Sequence, residues 1–398
     1  MKNRNLLIKA FAFSIIILTW QVACNHNARY GSATPDSPTR ISPSTLEIDT
    51  RVTPKVTTIM PKSSIRVTKA FEWVLSGKNI LDIKWAPNSD KFIVLTSDEA
   101  TLYDVSTYQK FWSITPIFPA EYASSVVFQP GGQAINLYIG GVGLQIHDVQ
   151  SGRLLAEKPK GNNPGNCLQA EATGAVLSPD GHTLFISIED HRDKSNDFTQ
   201  VHRWDVSSLQ CTGAFMRTEG HARSLDLTSD GKYLALSVGL NTKEVDNDIQ
   251  ENGQVTVWDL EVNQRACSIG HQGSIVRFKP RSSILVVTDP EKNKLAYWDV
   301  TTCDMVGELS GVTTLYNFTF SSDGRLLAIW KDGIWILDAD SGDVLYKIID
   351  PVPLTSTNID NISRLLGKLS FSPNGRFLVY SIRREPIEGL IYLWSIEH

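Results

Sequence analysis

The chain of 398 residues is poor in sulfur, with five cysteines and four methionines. No two cysteines stand in a Cys-x-x-Cys arrangement, which removes the usual redox and thiolate-zinc motifs. Neither sign of charge dominates: 38 Lys and Arg face 43 Asp and Glu, for a net charge of −5, and there is no long basic run. That balance gives no case for general nucleic-acid binding. Gly-x-Ser-x-Gly, His-Glu-x-x-His and a paired Cys/His nucleophile are all missing. Gly140-Gly141-Val142-Gly143 joins two strand-like runs and opens no helix, so it reads as a hairpin turn and not a phosphate loop. The expectation from these absences is a chain without a catalytic set, metal or cofactor of its own.

What the chain has is repetition. Seven segments share one turn: WAPNSDKF at 85–92, FQPGGQAI at 128–135, LSPDGHTL at 177–184, LTSDGKYL at 227–234, FKPRSSIL at 278–285, FSSDGRLL at 320–327 and FSPNGRFL at 371–378. Their third residues, from Pro87 to Pro373, lie 42 to 51 residues apart, a period that signals a repeat architecture. A second marker follows each turn: Tyr103-Asp104, His147-Asp148, Trp204-Asp205, Trp258-Asp259, Trp298-Asp299, Leu337-Asp338 and Trp394-Ser395. In the fourth unit, short apolar runs at 225–227, 233–237, 255–258 and 265–267 read as four strands. Four antiparallel strands per unit make one propeller blade. The expectation is an all-β fold, a single seven-bladed β-propeller over residues 65–398. The Asp-Gly and Asn-Gly pairs at 180–181, 230–231, 323–324 and 374–375 suit tight hairpins that tolerate positive φ.

Closure is read from the two ends of the repeat. Only three residues follow Trp394-Ser395, too few for a fourth strand. Residues 65–73 alternate like a strand and have no blade of their own. They are therefore expected to complete the last blade, which removes two exposed sheet edges.

Trp-Asp dipeptides closing units of this length, with Gly220-His221 and Gly270-His271 ahead of two of them, resemble WD-repeat proteins. The likeness covers residues 65–398; three units carry the literal Trp-Asp. The Ser-Pro-Asp-Gly turn is also similar to that of TolB-like periplasmic propellers, whose repeats are shorter. The WD-repeat resemblance implies that His221 and His271 hydrogen-bond inside their blades. It implies that His271, Thr288, Asp289 and Trp298 form an internal network in the fifth unit, and that Trp204, Trp258, Trp298 and Trp394 are blade core.

The first 64 residues read differently. Lys2 and Arg4 precede a short apolar stretch, Leu6, Leu7 and residues 10–20, interrupted by Lys9. It is short for a spanning helix and suits a secretory h-region. It ends in Gln21-Val22-Ala23-Cys24, which resembles the bacterial lipoprotein signal with a small residue before the lipidated cysteine; Gln21 stands where that pattern has an apolar residue. Residues 1–24 are thus expected to be a signal peptide and Cys24 the lipidated anchor. An uncleaved signal anchor and ordinary cleavage are the competing readings. Residues 25–64 are rich in Ser, Thr and Pro and have no apolar period, so they read as a disordered tether. About 40 flexible residues reach about 35 Å. Cys167, Cys211, Cys267 and Cys303 allow three pairings, among which Cys167–Cys211 is the least implausible if one forms. Cys211 and Cys267 fall near outer strands, where a buried thiol is an ordinary occupant.

Connection lengths point to one face. The long connections are 159–171, 189–199, 241–254, 349–364 and 381–390, and in a meander all leave the blades on the same side. Insertions confined to one face mark a binding face. The candidate contact residues there are Glu189, Asp190 and Asp193, then Glu244, Asp246, Asp248 and Glu251, and the pair Arg383 and Arg384. The acidic loop offers hard oxygens to Ca²⁺, but its spacing matches no calcium loop and a solvated or partner-contacting loop is the expected outcome. The expected function is a non-enzymatic, protein- or peptide-binding scaffold, monomeric, exported and membrane-anchored on the extracytoplasmic side. The alternative is a lactonase- or hydrolase-like propeller enzyme with a metal or carboxylate site at the central channel.

Overall fold

The computed structural model describes residues 65–397, except the connections at 116–123, 140–142, 160–166, 168–170, 191–197, 241–251, 271–274, 290–291, 313–316, 331–332, 350–365 and 385–387. The described residues form 28 strands in seven four-stranded antiparallel sheets. Blades 1 to 6 are sequential meanders, starting with the inner strands Ile80–Trp85, Ser124–Phe128, Glu171–Leu177, His221–Leu227, Val276–Phe278 and Phe318–Phe320. Among the described residues no helix is long and apolar enough to cross a membrane.

Two repeated turns build each blade. The first joins inner to second strand. In blades 3, 4, 6 and 7 a hydroxyl, on Ser178, Thr228, Ser321 or Ser372, accepts the backbone N–H five residues on at 2.8–2.9 Å. It also hydrogen-bonds the Asp or Asn two residues on. The glycine at the third position donates back to the same residue's carbonyl with φ of 71–78°. Positive φ falls on the glycine alone, not on the Asp-Gly pair as in a type I′ hairpin; the Asp or Asn acts as a side-chain anchor instead. The second turn explains the second marker. In six blades the marker aspartate accepts backbone N–H groups of the third-to-fourth turn, as Asp104 does from Ser106 and Thr107 at 2.9 and 3.0 Å. Asp148, Asp205, Asp259, Asp299 and Asp338 repeat this. Four residues beyond each aspartate the chain is left-handed, at Tyr108, Gly152, Leu209, Asn263, Cys303 and Gly342.

The ring closes where expected. Arg66–Ser76 pairs antiparallel with Glu388–Glu397, from Arg66 opposite Glu397 to Ser76 opposite Glu388, and is the fourth strand of blade 7. It runs three residues past the expected end. Trp73 Nε1 donates to Tyr108 O of blade 1 at 3.2 Å, and Trp85 Nε1 of blade 1 donates to Ser370 O of blade 7 at 3.2 Å.

The apolar core is divided into seven wedges, one between each pair of neighbouring blades. A typical wedge sets Val257 and Ile269 of blade 4 against Val276 and Phe278 of blade 5. On the tight-turn side, each first turn also touches the next. Packing is closest where a Cβ at Gly181 would lie 2.8 Å from Pro130 Cδ, and at Gly231 one would lie 2.9 Å from Pro179 Cδ. Arg281 N donates to Ser229 Oγ at 3.2 Å, and Asn374 N donates to Ser89 Oγ at 3.0 Å, joining blade 7 to blade 1. Two disulfides add staples: Cys167–Cys211 ties the connection between blades 2 and 3 to the outer strand of blade 3, and Cys267–Cys303 joins blades 4 and 5. The second was not anticipated, because Cys267 reads as a simple buried thiol and Cys303 sits in a turn.

Candidate functional site

The inner strands leave a cavity of about 450 Å³ on the propeller axis, inside the range of small-ligand sites. Its lining follows from side-chain alternation along a strand. Counted back from the third residue of each turn motif, the second and fourth positions are apolar and pack between blades, as Trp85 and Ile83 do in blade 1 and Phe278 and Val276 in blade 5. The fifth positions back face the channel as Asp82, Ser125, Gly174, Ser224, Ile275, Asn317 and Lys368. The third positions back contribute Lys84, Val176, Asp226, Arg277, Thr319 and Ser370. Register shifts between Ala172 and Gly174 and between Ala222 and Ser224 add Thr173 and Arg223 to the lining. Bulges re-aim side chains in this way.

The channel carries four cations, Lys84, Arg223, Arg277 and Lys368, against two carboxylates, Asp82 and Asp226. The carboxylates clip blades together. Asp82 Oδ1 accepts Ile83 N at 3.0 Å, while Oδ2 accepts Ser125 Oγ at 3.3 Å and Val126 N at 3.4 Å from blade 2. Asp226 Oδ2 accepts Phe278 N of blade 5 at 2.7 Å. Enclosure by protein pushes the Asp226 carboxyl up, opposed by the Arg277 charge and the Phe278 amide.

Three of the cations are less well matched. Lys84 Nζ lies 3.6 Å from Asp82 Oδ1. Arg277 Nη1 donates to neutral oxygens, Ser224 Oγ at 2.7 Å and Val276 O at 2.8 Å. Lys368 forms no ion pair among the described residues. Enclosure pushes its ammonium down, the Asp82 charge pulls it up, and Lys84 and Arg277 push it down again. Solvent nevertheless reaches the Lys368 side chain, so the channel is wet and walled by protein.

The residues expected from sequence fall elsewhere. Glu189 Oε2 lies 3.1 Å from His221 Nδ1, a half-buried contact that crosses from blade 3 to blade 4. Asp190 ends the second strand of blade 3 opposite Phe198, and Arg383 and Arg384 end that of blade 7 opposite Gly389 and Glu388. Asp193, Glu244, Asp246, Asp248, Glu251, His271 and Cys24 lie outside the described residues. In blade 5, Thr288 Oγ1 accepts Ile275 N at 3.0 Å and Asp289 Oδ1 accepts Lys292 N at 3.1 Å. The Trp298 indole N–H makes no hydrogen bond to the described residues, and Trp258 Nε1 reaches Asn263 Oδ1 at 3.4 Å. Trp204 and Trp394 are buried, also without an indole hydrogen bond among the described residues, and serve as apolar core.

Among the described residues, the three metal-binding side chains within reach of one another are Cys167, His202 and Cys211, and their two sulfurs are joined to each other. Neither known protein families nor curated proteins give a match to this chain. Fold and chemistry therefore carry the functional reading. Sequence reasoning missed the channel charges, although the signal was present: once seven turn motifs are aligned, alternation assigns the positions three and five residues before each to the axis.

Proposed function

We propose that the protein is a non-enzymatic scaffold of the WD-repeat type that binds a protein or peptide on the loop-bearing face of the propeller. In this reading it is monomeric and held on an extracytoplasmic membrane surface by a lipid on Cys24. The carrying observation is the meander in every blade. It sends the second-to-third and fourth-to-next connections to one side, and these include every long connection of the chain. The other side is a ring of tight turns in contact with one another. The two channel carboxylates support a binding role over hydrolysis, since both hold backbone amides of the next blade and cations outnumber them. Two disulfides support export, because such bonds persist in oxidising compartments.

The test is partner capture in native membranes by cross-linking. Shortening 241–254 to a four-residue turn should abolish capture and leave folding intact, since loop length changes cost only about 0.6 kcal/mol per doubling. Undiminished capture, with loss on changing charges of the tight-turn face, would place the partner on the wrong side for this reading. For the anchor, Cys24→Ser should release the protein or block its processing. Mass spectrometry finding residues 1–23 on the mature wild type would replace the lipid with a signal anchor.

A further inference from the structure

We propose that the central channel binds a small polyanion through carboxylate or phosphate oxygens, held between Lys84, Arg277 and Lys368. The inference does not depend on a macromolecular partner at the loop-bearing face.

Three observations carry it. First, the cavity has the size of a small-ligand site, about 450 Å³. Second, its charge is inverted relative to the molecule: a chain with net charge −5 lines its axis with four cations and two carboxylates. A cleft of one sign with protein walls concentrates counter-ions. Third, the two internal carboxylates are fewer than the three cations Lys84, Arg277 and Lys368. Asp226 is committed to the Phe278 amide and Asp82 to Ile83, Ser125 and Val126, with Lys84 alongside it. Arg277 spends Nη1 on neutral oxygens, and Lys368 has no ion pair among the described residues. Lys84 and Arg277 lie close enough to Lys368 to disfavour its charge. An anion among the three supplies the missing counter-charge. Arg277 offers planar donors suited to a carboxylate or phosphate edge, and hydroxyls of Thr319 and Ser370 line the same cavity. Three cations lining one cavity offer a dianion or trianion more contacts than a monoanion.

The experiment is isothermal titration of the full chain with citrate, inorganic phosphate and, as a neutral control, glycerol, at low ionic strength. Citrate or phosphate should bind at one site with a Kd of 1 mM or tighter, and glycerol should not bind; the tighter of the two anions gives the ligand class. Lys368→Gln and Arg277→Gln should each weaken the anion at least tenfold, while Lys110→Gln, remote from the channel, should leave it unchanged. No binding of either anion, or equal binding by the channel variants, overturns the proposal. A second measurement needs no variant. Lysine acylation of the wild type, read by peptide mass spectrometry, should show Lys84 and Lys368 protected by saturating citrate and Lys110 unprotected. Labelling of Lys84 and Lys368 that citrate does not change also overturns it. Shortening 241–254 should leave anion binding intact, so this site and the partner face fail separately.

Discussion

Trp73→Ala should cost the domain about 4 kcal/mol, although residue 73 lies outside the seven repeated units. The indole belongs to the closing strand of blade 7 yet packs into the wedge shared with blade 1. Its ring centroid lies 5.3 Å from Phe92 and 5.2 Å from Tyr103, and its N–H donates to Tyr108 O at 3.2 Å. Half-buried, it hides on the order of 130 Å² of ring surface, and at about 25 cal/mol per Å² that contributes about 3 kcal/mol. The hydrogen bond adds about 1 kcal/mol. Trp73→Phe keeps the ring contacts and should lose only about 1–2 kcal/mol. A chain beginning at residue 77 loses these contacts together with the whole ladder to Glu388–Glu397, and should be poorly soluble because a long strand edge is exposed. Equilibrium urea denaturation followed by circular dichroism measures all three. If Trp73→Ala loses less than about 1 kcal/mol and the shortened chain melts like wild type, closure by this strand plays no part in stability.

Other expectations follow from local geometry. Replacing Cys267 and Cys303 together by Ser opens a loop with sequence separation 36, and chain entropy sets the loss at about 4 kcal/mol; an unchanged urea midpoint under oxidising conditions would contradict the staple between blades 4 and 5. Gly231→Ala places a Cβ 2.9 Å from Pro179 Cδ at φ +78°, whereas Gly77→Ala at φ +76° meets nothing within 4 Å. Gly77→Ala should therefore cost about 1 kcal/mol for backbone strain and Gly231→Ala clearly more, by the same denaturation assay. Hydrogen bonds from Ser208 and Ser207 hold the Asp205 carboxyl at about 2, below its ordinary value of 3.8. A depressed folded pKa gives stability that is complete above about pH 4 and lost as pH falls towards 2. Asp205→Asn should flatten the acid limb of the melting-temperature profile between pH 4 and 2, and an unchanged slope would assign that limb to other carboxylates.

The architecture was readable because its determinants are local and repeated. Ser or Thr, then Asp-Gly or Asn-Gly, marks the first turn in four units, and the marker aspartate of each Trp-Asp or related dipeptide marks the second in six; repetition over seven units leaves little choice of fold. Closure was readable because residues 65–73 alternate like a strand and have no blade of their own among the seven units. Three features were not readable. The register shifts that bring Thr173 and Arg223 to the axis leave no mark in the repeated turn pattern. The pairing of Cys267 with Cys303 depends on two blades meeting, 36 residues apart in sequence. Asp82 and Asp226 look like ordinary polar strand residues until the ring places the amides of Val126 and Phe278 beside them.

The closing strand also fixes how the domain carries mechanical load. Arg66–Ser76 is the first strand of the described residues, so tension applied from its N-terminal end enters at the strand that holds the ring shut. Pulled across the sheet, its rungs open one at a time from Arg66–Glu397 towards Ser76–Glu388. Pulled along its length, the same rungs resist together. The Trp73 anchor lies seven residues inside the pulled end, with its indole held by Tyr108, Phe92 and Tyr103 of blade 1. The strength of the whole ring under tension is therefore set by eleven residues and by the direction from which they are pulled.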